Sequence, residues 1–166
     1  KSLKISLNSY ISFLNEPSLK NSAKMSIASN LAGKAISISK TTVPHATSYP
    51  FTSLFGISHG HAVSLFFEKF FKFNYQNLNK SETSFDLKKR FDLIFNLFDV
   101  TDIDNFNLKI SLIKKKAGLN DNMKLLNIDL ETNIGKIIKG VNLLRLGNNP
   151  VKVDSNDISK IILNNK

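Results

Sequence analysis

Apolar residues recur at helical spacing along almost all of this 166-residue chain, and no segment sustains the two-residue alternation of a half-buried strand. That pattern restricts the fold to packed helices, an all-α multihelical domain. The clearest stripe is Val63, Phe66, Phe67, Phe70 and Phe71, at the i, i+3, i+4, i+7, i+8 positions of a helix predicted from about Gly60 to Tyr75. A second stripe presents Leu87, Phe91, Ile94, Phe95 and Phe98. Aromatic residues at this spacing belong to a core rather than to a platform for stacking bases.

Capping and turn chemistry set the other boundaries. The chain opens on an amphipathic helix with Leu3, Leu7, Tyr10 and Leu14 on one face, no capping residue ahead of it and no starting Met, so it is expected to be a fragment of a longer protein. Ser18 is a cap for a second helix reaching about Ser39, on which Ala23, Ile27, Leu31, Ala32 and Ala35 form a face suited to close approach. A turn at Asp102 to Asn105 leads to a helix ending near Gly118, followed by a short element at Leu125 to Ile128 and a helix from Asp129 to Gly140. Gly140 reads as a C-terminal stop, and Asn148-Asn149-Pro150 as a break. The final helix, Ile158 to Leu163, has Ser155 or Asp157 as its cap. There is no repeat and no Gly/Ser-rich linker, so residues 1–166 are expected to form a single domain.

Composition narrows the partners. With 42% hydrophobic residues and ordinary charge density the chain is not of a disordered type. It has no cysteine, so a metal would have to be held by imidazole and carboxylate, and a cytoplasmic location is expected. The net charge of +10 comes almost entirely from lysine, Arg90 and Arg145 being the only arginines, whereas nucleic-acid recognition favours the guanidinium fork. The run Lys114-Lys115-Lys116 reads as a solvated helix end, and no nucleic-acid partner is expected. No apolar run approaches the length of about 20 residues that spans a bilayer.

All three histidines, His45, His59 and His61, fall between Pro44 and His61, in a stretch that also holds Pro50, Gly56 and Gly60. The spacing of His45 and His59 excludes an i, i+4 pair on one helix. It places them near the starts of two successive helices joined through Phe55-Gly56-Ile57-Ser58, with Pro44 favouring a helix start at His45 and Gly60 allowing close backbone approach. At a helix start the macrodipole disfavours imidazolium and leaves the ring free for a metal. His59 and His61 would point about 200 degrees apart around a helix, so they do not share a ligand face. On spacing alone both a metal pair and ordinary hydrogen-bonded histidines stand.

The segments Asn30-Leu31-Ala32-Gly33-Lys34-Ala35, Ser39-Lys40-Thr41-Thr42-Val43-Pro44-His45-Ala46-Thr47-Ser48-Tyr49-Pro50 and Phe55-Gly56-Ile57-Ser58-His59-Gly60-His61-Ala62-Val63 closely resemble the iron-dependent (group III) alcohol dehydrogenases. In that family a helical C-terminal domain, of the type shared with dehydroquinate synthase, supplies a His-x13-His pair. The resemblance implies His45 and His59 as ligands to Fe2+ or Zn2+, and Tyr49, His61, Phe55 and Lys40 as lining of the substrate pocket or support for the ligands. It singles out no residue of this chain as catalytic or cofactor-binding. It implies an NAD(P)-dependent alcohol dehydrogenase or aldehyde reductase acting on a small alcohol or aldehyde. The Ser-Lys-Thr-Thr and His-Gly-His-Ala-Val variants look most like the phosphonoacetaldehyde reductase branch, and Lys40 and the basic balance suit an anionic substrate.

Two parts of the family pattern are not found in this sequence: the Gly-rich phosphate loop of the N-terminal nucleotide-binding domain, and the Asp-x-x-x-His that supplies two further ligands. The positions four before His45, His59 and His61 are Thr41, Phe55 and Ile57. This chain alone is therefore expected to be inactive, with an apolar face that favours a homo-oligomer. Tyr49 stands where many members carry a histidine, and Ser58 where proline is usual. Dehydroquinate synthase-like and glycerol dehydrogenase-like enzymes are an alternative on the same fold, although they more often carry His-Gly-Glu where this chain has His59-Gly60-His61. A basic binding module without enzymatic activity is the other alternative.

Overall fold

A computed structural model describes residues 1–164. The helices in chain order are α1 (Ser2–Asn15), α2 (Leu19–Ser39), α3 (Val43–Phe55), α4 (His59–Ser64), α5 (Phe67–Gln76), α6 (Leu87–Phe98), α7 (Ile103–Lys116), α8 (Leu130–Lys139), α9 (Leu143–Leu146) and α10 (Ser155–Leu163). Among the described residues there is no strand, only an isolated antiparallel bridge between Ser81 and Val151. The all-helical expectation holds. No helix among these residues is long and apolar enough to cross a membrane.

The chain groups into two compact units. One comprises residues 1–40 and 94–118. Here α1 and α2 pack as a hairpin whose turn is closed by local polar groups. Ser18 caps α2 by accepting from the Asn21 N–H, and the Asn21 side-chain amide donates to the Ser12 and Glu16 carbonyls. The packed side of α2 overlaps the predicted face only in part: Leu31 and Ala32 are half-buried beside the buried Ala28, whereas Ala23, Ile27 and Ala35 are exposed. Serine, alanine and asparagine recur all around this helix, so its two sides differ little in polarity and periodicity is a weak guide to which one packs.

Asp102 caps α7 through the Asn105 N–H, and Phe106 of that helix meets Phe95 and Phe98 with ring centroids 5.9 and 4.9 Å away. Lys115 and Lys116 are exposed as expected, but Lys114 is only 5% exposed. It follows Phe106 and Ile110 at four-residue intervals and therefore shares their inward face.

The other unit comprises residues 41–93 and those from 119 onward. Its core joins Val43, Phe51, Phe66, Phe70, Ile128, Ile137, Ile158 and Ile162 around α3. That helix packs against α4, α5, α8 and α9. The predicted Gly60–Tyr75 helix is broken at Leu65–Phe66, though neither Pro nor Gly marks the place. Ala62, Leu65, Phe66 and Phe70 are buried, while Phe67 and Phe71 lie half-buried and stack at 5.6 Å. The short element expected at Leu125 to Ile128 is a run of turns over residues 123–127 that leads into the buried Ile128. The cap of α10 is Asp154, with Asp157 reciprocating on the Asp154 N–H in a capping box, so the helix starts three residues before the predicted Ile158.

Pro50 lies inside α3. A proline there has no N–H for the carbonyl four residues back, which is that of Ala46. In this structure that carbonyl accepts from the Asn142 N–H at 3.1 Å, so the freed acceptor becomes the docking point for the start of α9. Gly140 lies just beyond the end of α8, as expected, with an ordinary negative φ, and it also provides room. A Cβ built on it would stand 2.9 Å from the Cβ of Pro50. A reciprocal amide pair between Asn74 and Asn149 (2.8 and 3.3 Å) ties the segment after α9 to α5.

The crowding at Gly140 predicts that Gly140→Ala destabilises the protein by about 1–3 kcal/mol through overpacking. Gly135, mid-way along α8 with open space around it, predicts the opposite sign: Gly135→Ala should stabilise by about 0.5–1 kcal/mol. Urea denaturation of both variants checks the pair.

Candidate metal centre

Two helix starts converge here. Gly56 ends α3 in the left-handed conformation (φ 68°), its N–H donating to the Thr52 carbonyl, and the chain turns back so that α4 begins at His59. His45 lies in the first turn of α3, which starts at Val43, two residues earlier than predicted, with Pro44 inside it. The rings of His45 and His59 are edge to face, with centroids 5.5 Å apart. His45 is half-buried and His59 exposed, so the pair opens to solvent. Gly60 plays no packing part, since a Cβ there would meet nothing within 4 Å.

Ser48, fully buried one turn along α3, links the two histidines. Its Oγ donates to the His45 carbonyl at 2.8 Å and lies 3.3 Å from His59 Nδ1. The single hydroxyl proton is committed to the carbonyl, so we assign Nδ1 of His59 as the donor to Oγ and Nε2 as the nitrogen presenting a lone pair. The His45 pKa is held below the usual 6.5, first by burial and then by the positive charges of His59 and Arg145. These effects favour the neutral ring of His45, the form a metal needs.

Arg145 was not placed here by sequence reasoning, although it stands out as one of two arginines in a chain that otherwise uses lysine. It lies on α9, capped by the Asn142 side chain, and reaches back to α3. Its Nε donates to the Tyr49 hydroxyl at 2.7 Å and its Nη1 to Thr41 Oγ1 at 2.5 Å. Tyr49 is 37% exposed, and its ring lies 6.0 Å from that of His59, centroid to centroid. Ser48 and Thr41, ordinary hydroxyl residues in the sequence, carried no signal of their own.

The remaining predicted residues lie as follows. His61 Nε2 donates to the Asn120 carbonyl at 2.7 Å. Phe55 packs at the edge of the core, 5.7 Å from the Phe51 ring. Lys40 is exposed, with φ at +62°, and its ammonium donates to the Ser37 carbonyl at the end of its own helix. Among the described residues no group of three or more His, Asp or Glu side chains could hold a metal. Two imidazoles with ring centroids 5.5 Å apart are donors of the type that fits half of a four-ligand Fe2+ or Zn2+ site.

The model of the Fe-containing alcohol dehydrogenase family, C-terminal, matches residues 1–165. No curated protein matches the chain. Two solved structures share the fold. One is sulfoacetaldehyde reductase from Bifidobacterium kashiwanohense in complex with NAD+: 26% identical, TM-score 0.80, with 98% of this chain covering 41% of that one. The other is a His→Ala variant of an archaeal halo-thermophilic Red Sea brine pool alcohol dehydrogenase: 20% identical, TM-score 0.86, with 99% of this chain covering 43% of that one. The chain thus spans about two-fifths of the length of both. With the family pattern running from its first helix to its last, this chain belongs to the Fe-containing alcohol dehydrogenase family, as its C-terminal helical domain.

Proposed function

We propose that this chain is the metal- and substrate-binding part of an NAD(P)-dependent alcohol dehydrogenase or aldehyde reductase, with His45 and His59 as two ligands to Fe2+ or Zn2+. The observation that carries this reading is the imidazole pair itself: 5.5 Å between centroids, the neutral ring of His45 favoured, and the His59 tautomer set by Ser48. The remaining ligands and the nucleotide fold would come from outside the chain, in keeping with the share of its solved relatives that it spans. When bound, the cation supplies Lewis acidity toward the alcohol or aldehyde oxygen while the nicotinamide carries the hydride.

The chain's own residues have distinct tasks. Ser48 orients His59, and its hydrogen bond raises the basicity of the opposite ring nitrogen. Tyr49 accepts from Arg145 and so keeps its own hydroxyl proton for donation to a substrate oxygen. His61, tied to Asn120, borders the site without ligating. A small aldehyde with an anionic head suits the basic balance of the chain, and the phosphonoacetaldehyde reductase-like branch suggested by its motifs is of that kind. The solved sulfoacetaldehyde reductase acts, by its name, on such an aldehyde.

Cobalt titration followed by visible absorption tests the ligand pair. The chain should bind Co2+ weakly, and His45→Ala or His59→Ala should each abolish the spectrum; an unchanged spectrum in both variants would refute the assignment. NADH or NADPH oxidation with small aldehydes should be absent in the purified 166-residue chain.

Because the folded-state pKa of His45 lies below 6.5, the unfolded chain takes up that proton first as the pH falls. The stability tied to the neutral ring is complete above pH 6.5 and is lost as the pH drops from there through the folded value. Denaturation midpoints of the metal-free chain should fall in that direction, and His45→Gln should flatten the dependence.

A further inference from the structure

We infer that Arg145 is the specificity-determining residue for the substrate's far end, and that this end is an oxyanion head group, such as a sulfonate, phosphonate or carboxylate, one or two carbons from the reacting carbonyl. The inference rests on the site assigned above and names the group that would select its substrate.

Three features of Arg145 support it. The first is its unused valence. A guanidinium has five N–H donors in a rigid fork. Two are used inward, on Tyr49 and Thr41, which leaves three with no acceptor among the described residues. No carboxylate among those residues pairs with it. These donors are open to an oxyanion that arrives with the substrate, which a guanidinium binds through charge-assisted hydrogen bonds.

The second is rigidity. Thr41, 6% exposed, and Tyr49 hold two of the nitrogens, while the Asn142 side chain caps α9 and the Asn142 N–H is fastened to the Ala46 carbonyl. A fork fixed from behind loses little freedom when it meets the planar edge of an oxyanion, so it discriminates by shape as well as charge.

The third is position. The Arg145 Cζ is 5.9 Å from the centroid of the Tyr49 ring, which is in turn 6.0 Å from that of His59. The guanidinium therefore stands one aromatic ring away from the imidazole pair. A short substrate with its carbonyl at the imidazoles can place its other end at the fork, whereas a neutral alcohol of the same length would leave the cation unpaired. Lys40, the cation suggested by sequence, has its ammonium on the Ser37 carbonyl instead.

The probe is 2-hydroxyethanesulfonate, with 1-propanol as the neutral control, titrated into the ¹⁵N-labelled chain and followed at the Arg145 Nε–H and its neighbours. The sulfonate should bind and 1-propanol should not. Arg145→Gln and Arg145→Lys should each weaken the sulfonate at least tenfold, with circular dichroism melts confirming that both variants fold. The lysine variant keeps the charge and loses the fork. Sulfonate affinity within twofold of wild type in a folded Arg145→Gln variant, equal binding of 1-propanol, or no sulfonate binding to wild type would each overturn the inference. Retained cobalt binding alongside Arg145-independent sulfonate binding refutes this inference alone. Absent cobalt binding with Arg145-dependent sulfonate binding refutes the metal assignment alone.

Discussion

One missing hydrogen bond organises the unit that carries the histidines. Pro50 cannot donate to the Ala46 carbonyl, and in a buried helix that acceptor would be left unsatisfied at a cost of about 1–3 kcal/mol. The Asn142 N–H takes it, and Gly140, with no Cβ to crowd the proline ring, lets the segment approach that closely. The start of α9 is thereby fastened to α3, and with it Arg145 reaches Tyr49 and Thr41. A helix defect thus becomes the joint that assembles a site from residues nearly a hundred positions apart in the chain.

The site combines three groups that can each be positive, His45, His59 and Arg145, with no carboxylate among them. Burial of His45, and after it the charges of His59 and Arg145, favour the neutral form of the His45 ring. Among the described residues no third His, Asp or Glu side chain joins the histidine pair to form a group that could hold a metal. Ser48 shows how a buried hydroxyl can serve two masters: its proton satisfies a carbonyl of its own helix, and its oxygen selects the tautomer of a histidine on the next.

Much was legible in the residues. Helix starts with a side-chain cap, Ser18 and the turn at Asp102, were placed well, because a cap is a local hydrogen bond three residues long and needs nothing from the rest of the fold. The Phe91, Phe95 and Phe98 stripe was equally clear, since its apolar contrast is strong. Where contrast was weak, pattern misled: the packed side of α2 runs through Ala28, and Lys114 lies on the inward face of α7 despite its charge. The two glycines show the same dependence on context: Gly60 is not needed for space, whereas Gly140 is. Whether a glycine is needed for space depends on what approaches it, and for Gly140 that is a proline ninety positions earlier.

The sequence by itself determined the helical class and the family, because periodicity and motif spacing are properties of neighbours along the chain. Only the tertiary structure decided that Ser48 links His45 and His59, that Lys40 turns back on its own helix and that Arg145 joins the site. The first depends on the turn at Gly56 that folds α4 back on α3, the second on a rotamer of an exposed side chain, and the third on packing at the Pro50–Gly140 contact and the Ala46–Asn142 hydrogen bond.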